Sequence, residues 1–145
     1  MSQIIREITN IGDYHYCVGR IMYFCQCIEH DIKLIYSGMR KPMNANQKAQ
    51  FEKWTLGKTI SELEALDNSD GKPYFSSADY ELLRNITSIR NYYAHKCYME
   101  FTYEQDEDWN IAFEKSAKRL VNDHNRLAKL YGSVEDARLR FFGYK

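Results

Sequence analysis

The stretch SSADYELLRNITSIRNYYAHKCY, residues 76–98, decides the fold because its apolar residues recur with the period of an α-helix. One stripe repeats at spacings of three and four, and its members are Leu82, Ile86, Ile89, Tyr93 and Cys97. Asp79 follows Ser76 by three residues, a spacing typical of a capping box at a helix N-terminus. The stretch therefore predicts a long amphipathic helix with one buried face.

Helical patterns also occupy the chain on both sides of this stretch. Four further helices are expected, over about 13–36, 56–67, 109–132 and 133–142, and the segment 44–54 is left open between helix and loop. Gly132 is expected to end the fourth helix, so that Ser133 starts a short fifth one. No alternating strand pattern competes with these helices. We predict a single all-α domain, residues 1–145, built as an up-and-down bundle of four or five helices.

Composition narrows the classes of function. The chain carries 20 basic and 20 acidic residues, and this balance argues against a broad basic surface for duplex DNA but leaves a small anion site open. Its four cysteines form no CxxC pair, so we expect buried thiols in a reducing cytosol and neither a zinc site nor a disulfide framework. With no signal peptide expected and no apolar run of about 20 residues, we predict a cytoplasmic protein without membrane contact, cofactor or metal.

A polar row runs beside the apolar stripe of the third predicted helix. Its members are Arg84, Ser88, Asn91, His95 and Tyr98, at spacings that place them on one helix face. Arg90 lies off this row, because five residues turn a helix by about 140° from His95 and advance it by about 7.5 Å. The two side chains would converge if the long Arg90 side chain bent around the helix, or if a second copy of the helix lay across a two-fold axis.

The run Arg90-Asn91-Tyr92-Tyr93-Ala94-His95 reads R-N-x-x-x-H. It resembles the signature of HEPN (higher eukaryotes and prokaryotes nucleotide-binding) domains, in which an arginine and a polar residue precede a histidine. The segment 56–60, LGKTI, is similar to the start of a helix in several HEPN groups. The resemblance covers the layout of most of the chain but only about a dozen residues of specific sequence.

The resemblance implies a homodimeric HEPN-like bundle with metal-independent endoribonuclease activity, of the toxin–antitoxin or phage-defence type. It implies that Arg90 and His95 are catalytic and that Asn91 supports them. An antitoxin or a nucleotidyltransferase is an implied partner. HEPN toxins modified by such a transferase continue the motif as H-x-Y, whereas here Tyr98 stands one place later, which puts that modification in doubt.

The residue types also suit RNA cleavage on chemical grounds. An imidazole can act as acid or base near neutral pH, and a guanidinium matches the oxygens of a phosphate. Attack by a 2′-hydroxyl would restrict the substrate to RNA. Residues that we expect to contact RNA are Tyr92, Tyr98, Ser88 and Arg84.

Other interpretations of the same residues stay open. The Arg/Asn/His face would equally suit a non-catalytic module that binds a nucleotide, RNA or another protein, or a structural dimerisation domain. His124 is expected to be a hydrogen-bonded core residue, and Lys115, Lys118 and Arg119 form a basic cluster that is either solvated or guides RNA. A metal site at His30 and its neighbouring carboxylates is only weakly indicated.

Overall fold

The computed structural model describes residues 4–143, and every regular element in that range is helical. Five α-helices follow one another, with a 3₁₀ turn between the last two. Their bounds are Ile11–Met39 (α1), Ala45–Glu52 (α2), Leu56–Asp67 (α3), Ser77–His95 (α4), Cys97–Glu100 (the 3₁₀ turn) and Asp106–Phe141 (α5). No β-strand occurs between residues 4 and 143, so the predicted all-α helical bundle is confirmed.

Two compact units divide the described residues. The first comprises residues 4–26 and 85–132, and the second comprises residues 27–84 and 133–143. Helices α1, α4 and α5 each contribute a segment to both units, whereas α2 and α3 lie wholly within the second. The assignment of residues 1–145 to a single domain stays a prediction.

The start of α4 has the predicted capping box. The backbone N–H of Asp79 donates to Ser76 Oγ at 3.1 Å, and the backbone N–H of Ser76 donates to Asp79 Oδ2 at 3.3 Å. Two amide groups that the helix itself leaves unpaired are thereby satisfied. The apolar stripe of α4 is buried at Leu82, Ile86 and Tyr93, while Ile89 is half-exposed.

In the first unit, aromatic side chains pack between α1 and the beginning of α5. The fully buried Tyr14 ring lies 5.1 Å from the Phe101 ring and 5.6 Å from the Phe113 ring, measured between centroids. The Tyr14 hydroxyl lies 2.7 Å from Ser116 Oγ, so its polar atom has a hydrogen-bond partner within the core. This packing fixes the segment between α4 and α5, which carries Tyr98.

A buried carboxylate organises the second unit. Asp67, the last residue of α3, accepts hydrogen bonds from the backbone N–H groups of Tyr74 (2.8 Å) and Phe75 (3.2 Å) and from the Tyr80 hydroxyl (2.6 Å). Burial, and then the hydrogen bond to Asp67, raise the pKa of the Tyr80 hydroxyl. One side chain therefore ties the end of α3 to the loop that precedes α4.

The predicted break at Gly132 is wrong. Helix α5 continues through this residue to Phe141, and no separate fifth helix starts at Ser133. The apolar period carries on across the glycine, since Leu130, Val134 and Ala137 are buried at spacings of four and three. A helical glycine costs only about 1 kcal/mol relative to alanine, which this burial outweighs. The open segment 44–54 contains α2, which is capped by Asn44.

Candidate functional site

The two residues of the R-N-x-x-x-H motif occupy the last turns of α4 in the first unit. His95 is the final residue of the helix and is exposed, whereas Arg90 is half-buried. Because α4 is one uninterrupted helix from Ser77 to His95, the offset of about 140° between these two positions holds in the folded chain. In a single protomer the backbone positions of Arg90 and His95 therefore lie on different sides of the helix.

Asn91 and Ser88 stand on the same helix face as His95, and all three are exposed. This part of the predicted polar row is accessible to a ligand. Arg84 differs, because it belongs to the second unit and its Nη1 lies 2.9 Å from Glu64 Oε1 in an ion pair. A carboxylate thus already satisfies part of the guanidinium that we expected to contact RNA.

Tyr98 does not continue the polar row as predicted, because α4 ends at His95 and Tyr98 lies in the following 3₁₀ turn, where it is linked to a second exposed imidazole. Its hydroxyl lies 2.7 Å from His15 Nδ1, and the centroids of the two rings are 5.4 Å apart. Burial raises the pKa of the Tyr98 hydroxyl, so the hydroxyl stays protonated at neutral pH. His15 comes from α1, 83 residues before its partner, and no motif in the sequence indicated this pair.

Tyr92 is half-buried, and one face of its ring is already covered. The Arg119 guanidinium lies 3.7 Å from the ring centroid, a cation–π contact. The Tyr92 hydroxyl donates to Glu100 Oε1 at 3.3 Å, and burial raises its pKa to about 12. Any base that stacks on Tyr92 therefore has to use the opposite ring face.

A buried carboxylate stands between two arginines of α5. Asp123 Oδ2 accepts a hydrogen bond of 2.5 Å from the Tyr93 hydroxyl, and both residues are buried. Arg119 Nε lies 3.7 Å from Asp123 Oδ2, and Arg126 Nη1 lies 3.8 Å from Oδ1. These separations are those of ion pairs and exceed hydrogen-bonding distance. Burial, and then the bond to Asp123, raise the pKa of the Tyr93 hydroxyl.

His124 is the core histidine that the sequence predicts. It is fully buried, and Arg20 Nε donates to its Nε2 at 2.8 Å. The remaining proton therefore sits on Nδ1, which lies 3.0 Å from Asn125 Oδ1 and donates to it. Burial lowers the pKa of His124 and is the largest effect. The hydrogen bond to Asn125 raises this pKa and the charge of Arg20 lowers it, so that the net pKa is below the usual value.

The remaining predictions concern metals, thiols and membranes. Within residues 4–143, no three His, Cys, Asp or Glu side chains are grouped as ligands for a metal ion. His30 Nδ1 instead lies 3.1 Å from Asp31 Oδ1. No disulfide joins the cysteines; Cys27 is half-buried, and Cys17, Cys25 and Cys97 are buried. No helix in the described range is long and apolar enough to cross a bilayer.

A scan against protein-family models gave no match, and searches of curated proteins and of solved structures gave no significant match. The HEPN resemblance stays a prediction from sequence. A functional assignment for this chain has to be argued from its own side chains.

Proposed function

We propose that the chain is a metal-independent endoribonuclease, in which Arg90 and His95 cleave RNA by transesterification through the 2′-hydroxyl. The observation that carries the proposal is the exposed imidazole of His95 at the end of α4, beside the exposed Asn91 and on the helix that also bears Arg90. An acid–base group, a permanent cation and a neutral hydrogen-bonding group are the parts that this reaction requires.

The proposed step balances within the RNA strand. A base removes the proton of the 2′-hydroxyl, whose oxygen attacks the adjacent phosphorus and forms the 2′-O–P bond. The P–O5′ bond breaks, and an acid protonates the departing 5′-oxygen. Imidazole serves as base or acid, and guanidinium stabilises the charge that develops on the phosphoryl oxygens. The products carry a 2′,3′-cyclic phosphate and a 5′-hydroxyl.

A homodimer supplies the geometry that one protomer lacks. An offset of about 140° and about 7.5 Å separates the two residues along a continuous α4. A two-fold axis that crosses α4 near its end would place the Arg90 of one copy beside the His95 of the other, and would provide two imidazoles for the two proton transfers. We therefore propose that the active form is a dimer in the cytoplasm, of the toxin–antitoxin or phage-defence type, with an antitoxin or nucleotidyltransferase as partner.

Substitution at the two residues tests this proposal. We expect His95→Ala to lower the cleavage rate of single-stranded RNA by about 10² to 10⁴ and Arg90→Ala by about 10² to 10³, because each removes a group that acts in the transition state. Asn91→Ala should have a smaller effect. The assay is run in EDTA, with the fragment ends identified by mass spectrometry.

Arg140→Ala is the matched control, because Arg140 is half-exposed and ion-paired to Asp136 on α5 of the second unit. This variant should cleave RNA as fast as the parent. Parental rates in both Arg90→Ala and His95→Ala would contradict the assignment, as would fragments that carry linear phosphates from the start of the reaction.

The angular offset between Arg90 and His95 on α4 also favours a second candidate function. In a chain that stays monomeric, Arg90 and His95 occupy different sides of α4, and the exposed Ser88–Asn91–His95 face then suits binding of RNA or a nucleotide without cleavage. Saturable RNA binding by a monomer that cuts no RNA would support this module over the nuclease. Sedimentation measured together with the cleavage assay separates the two.

A further inference from the structure

The basic cluster of α5 divides into side chains with different surroundings. Lys118 Nζ lies 3.2 Å from Glu114 Oε1, and both residues line a separate cavity beside residues 6–9. Lys115 lines a cavity of about 430 Å³ together with three carboxylates, those of Glu100, Glu104 and Asp108. Acidic groups therefore outnumber the basic ones around Lys115, and this part of the cluster does not favour a phosphate.

Arg119 also lines that acidic cavity, but together with Arg126 it borders a second cavity with different surroundings. Both arginines line a cavity of about 260 Å³ in the first unit, between α4 and α5, with Asp123 as the single acidic member. Asn85, Ser88 and Ile89 complete its wall from α4. Two positive charges face one negative charge, so the cavity has an excess of positive charge. Its volume lies below the range of about 300 to 1,000 Å³ that is usual for drug-sized ligands, which suits a single charged group.

Asp123 attracts both arginines of this cavity without accepting a hydrogen bond from Arg119 Nε or Arg126 Nη1, and the Arg119 guanidinium also lies on the Tyr92 ring. Asp123 keeps its short hydrogen bond for Tyr93, while its separations from Arg119 and Arg126 are 3.7 and 3.8 Å. At these distances the carboxylate attracts both guanidiniums without taking a hydrogen bond from the atoms concerned. Side chains of this kind present planar donor pairs that match the oxygens of a phosphate.

The cavity is also in line with the proposed catalytic residue. Ser88 is exposed at the cavity and lies seven residues before His95 on the same face of α4, or about 10.5 Å along the axis. A single strand whose scissile bond is at His95 and which follows α4 passes this cavity. A backbone phosphate of that strand is the anion whose chemistry and position fit.

We propose that Arg119, Arg126 and Ser88 form a phosphate-binding subsite that holds the RNA backbone on one side of the cleaved bond. This inference rests on the proposed ribonuclease function, since it names how the same site grips its substrate. Asp123 acts as a positioning residue, because the Tyr93 hydroxyl anchors its carboxylate between the two arginines.

Equilibrium binding of a fluorescently labelled single-stranded RNA tests the subsite without requiring cleavage. All measurements use the His95→Ala background, so that the RNA stays intact, and anisotropy is recorded over a series of salt concentrations. We expect Arg119→Ala and Arg126→Ala each to weaken binding roughly tenfold or more. Each RNA phosphate that a variant no longer neutralises should make the slope of log affinity against log salt shallower by about 0.7.

Two control substitutions remove a positive charge outside the subsite. Lys115→Ala lies on the same helix, in the acidic cavity that Arg119 also lines but that Arg126 does not line, and Arg140→Ala removes a half-exposed arginine paired to a carboxylate on the same helix. Both should retain the affinity and the salt slope of the background protein. Arg126→Lys keeps the charge and loses the planar fork, so we expect an intermediate affinity with an unchanged slope. Thermal melting of each variant shows that the fold is intact.

The outcomes separate this inference from the nuclease proposal. If RNA binding depends on Arg119 and Arg126 but the parent protein cleaves no RNA, the nuclease proposal is overturned and the subsite is supported. Cleavage by the parent protein, together with unchanged affinity and salt slope when Arg119→Ala and Arg126→Ala are combined, overturns the subsite alone. The subsite inference is also overturned if the protein binds no RNA. It is overturned as well if binding of inorganic phosphate depends on Arg126 but binding of RNA does not.

Discussion

His124 shows how a single buried imidazole can make the stability of this chain depend on pH. Its Nε2 accepts from Arg20 and its Nδ1 donates to Asn125, so both ring nitrogens are satisfied only in the neutral form. Adding a proton at Nε2 would break the bond from Arg20 and bring two cations together in the core. The neutral state is therefore part of the folded structure.

The sign of the pH effect follows from the lowered pKa of His124. An unfolded histidine titrates near about 6.5, so the unfolded chain takes up this proton at a higher pH than the folded chain does. The free energy of unfolding should therefore decrease as pH falls below about 6.5 toward the folded pKa, by up to about 1.4 kcal/mol per pH unit. Urea unfolding at a series of pH values measures this slope.

Two variants isolate the contribution of His124 from that of other titrating groups. His124→Gln should be less stable near neutral pH and should lose this part of the slope. His95→Gln removes an exposed imidazole and controls for the loss of a histidine outside the core. The explanation would be abandoned if the parent and His124→Gln lost stability in parallel between about pH 7 and about pH 5.

For single residues, the sequence predicted contacts between neighbours in the chain and did not predict contacts between residues far apart in the chain. The capping pair Ser76 and Asp79 lies three residues apart, so its geometry is already present in the spacing. The pairs His15–Tyr98 and Tyr93–Asp123 join positions 83 and 30 residues apart. Only the packing of α1, α4 and α5 brings them together, and no local spacing encodes it.

At the scale of the elements, the glycines inside helices differ in what surrounds them. An added Cβ at Gly19 of α1 or at Gly132 of α5 would meet no atom within 4 Å. At Gly38 of α1 the same atom would stand 2.6 Å from Phe141 Cε1. Replacing any of these three glycines by alanine would give the same gain in helix propensity, but the added Cβ fits without a clash only at Gly19 and Gly132.

Alanine substitution turns this difference into a measurement. Gly19→Ala and Gly132→Ala should each raise the free energy of unfolding by about 0.5 to 1 kcal/mol, because a helical glycine loses more backbone entropy on folding. Gly38→Ala should lower it, because Phe141 and Phe142 have to move. Urea denaturation of the three variants provides the comparison. Destabilisation by Gly132→Ala would contradict a continuous α5.

The sequence predicted the ends of some helices and not of others, and the difference lies in the local backbone signals. The bounds of α3 coincide with its predicted stripe, because Thr55 caps its start and the Asp67–Pro73 loop follows its end. Gly132 was expected to break α5 and does not. A glycine ends a helix where the backbone adopts a positive φ, and this conformation occurs at Gly143, just beyond α5, and not at Gly132.

At the scale of the whole molecule, the proposed activity depends on a second copy of the chain. Helix length and apolar period in the sequence were sufficient to predict an all-α bundle. The proposed meeting of Arg90 with His95 was not predictable in this way, because it would depend on contacts between chains and not on spacing within α4. The dimer therefore belongs to the proposal and not to the fold.

The most direct test of the central claim is cleavage of an RNA that carries one 2′-deoxynucleotide immediately 5′ of a bond that the parent protein cuts in EDTA. Transesterification requires that 2′-hydroxyl, so we expect this bond to stay intact while other bonds in the same strand are cut at the parental rate. Cleavage at the substituted bond would show that the hydroxyl is not the nucleophile and would contradict the account.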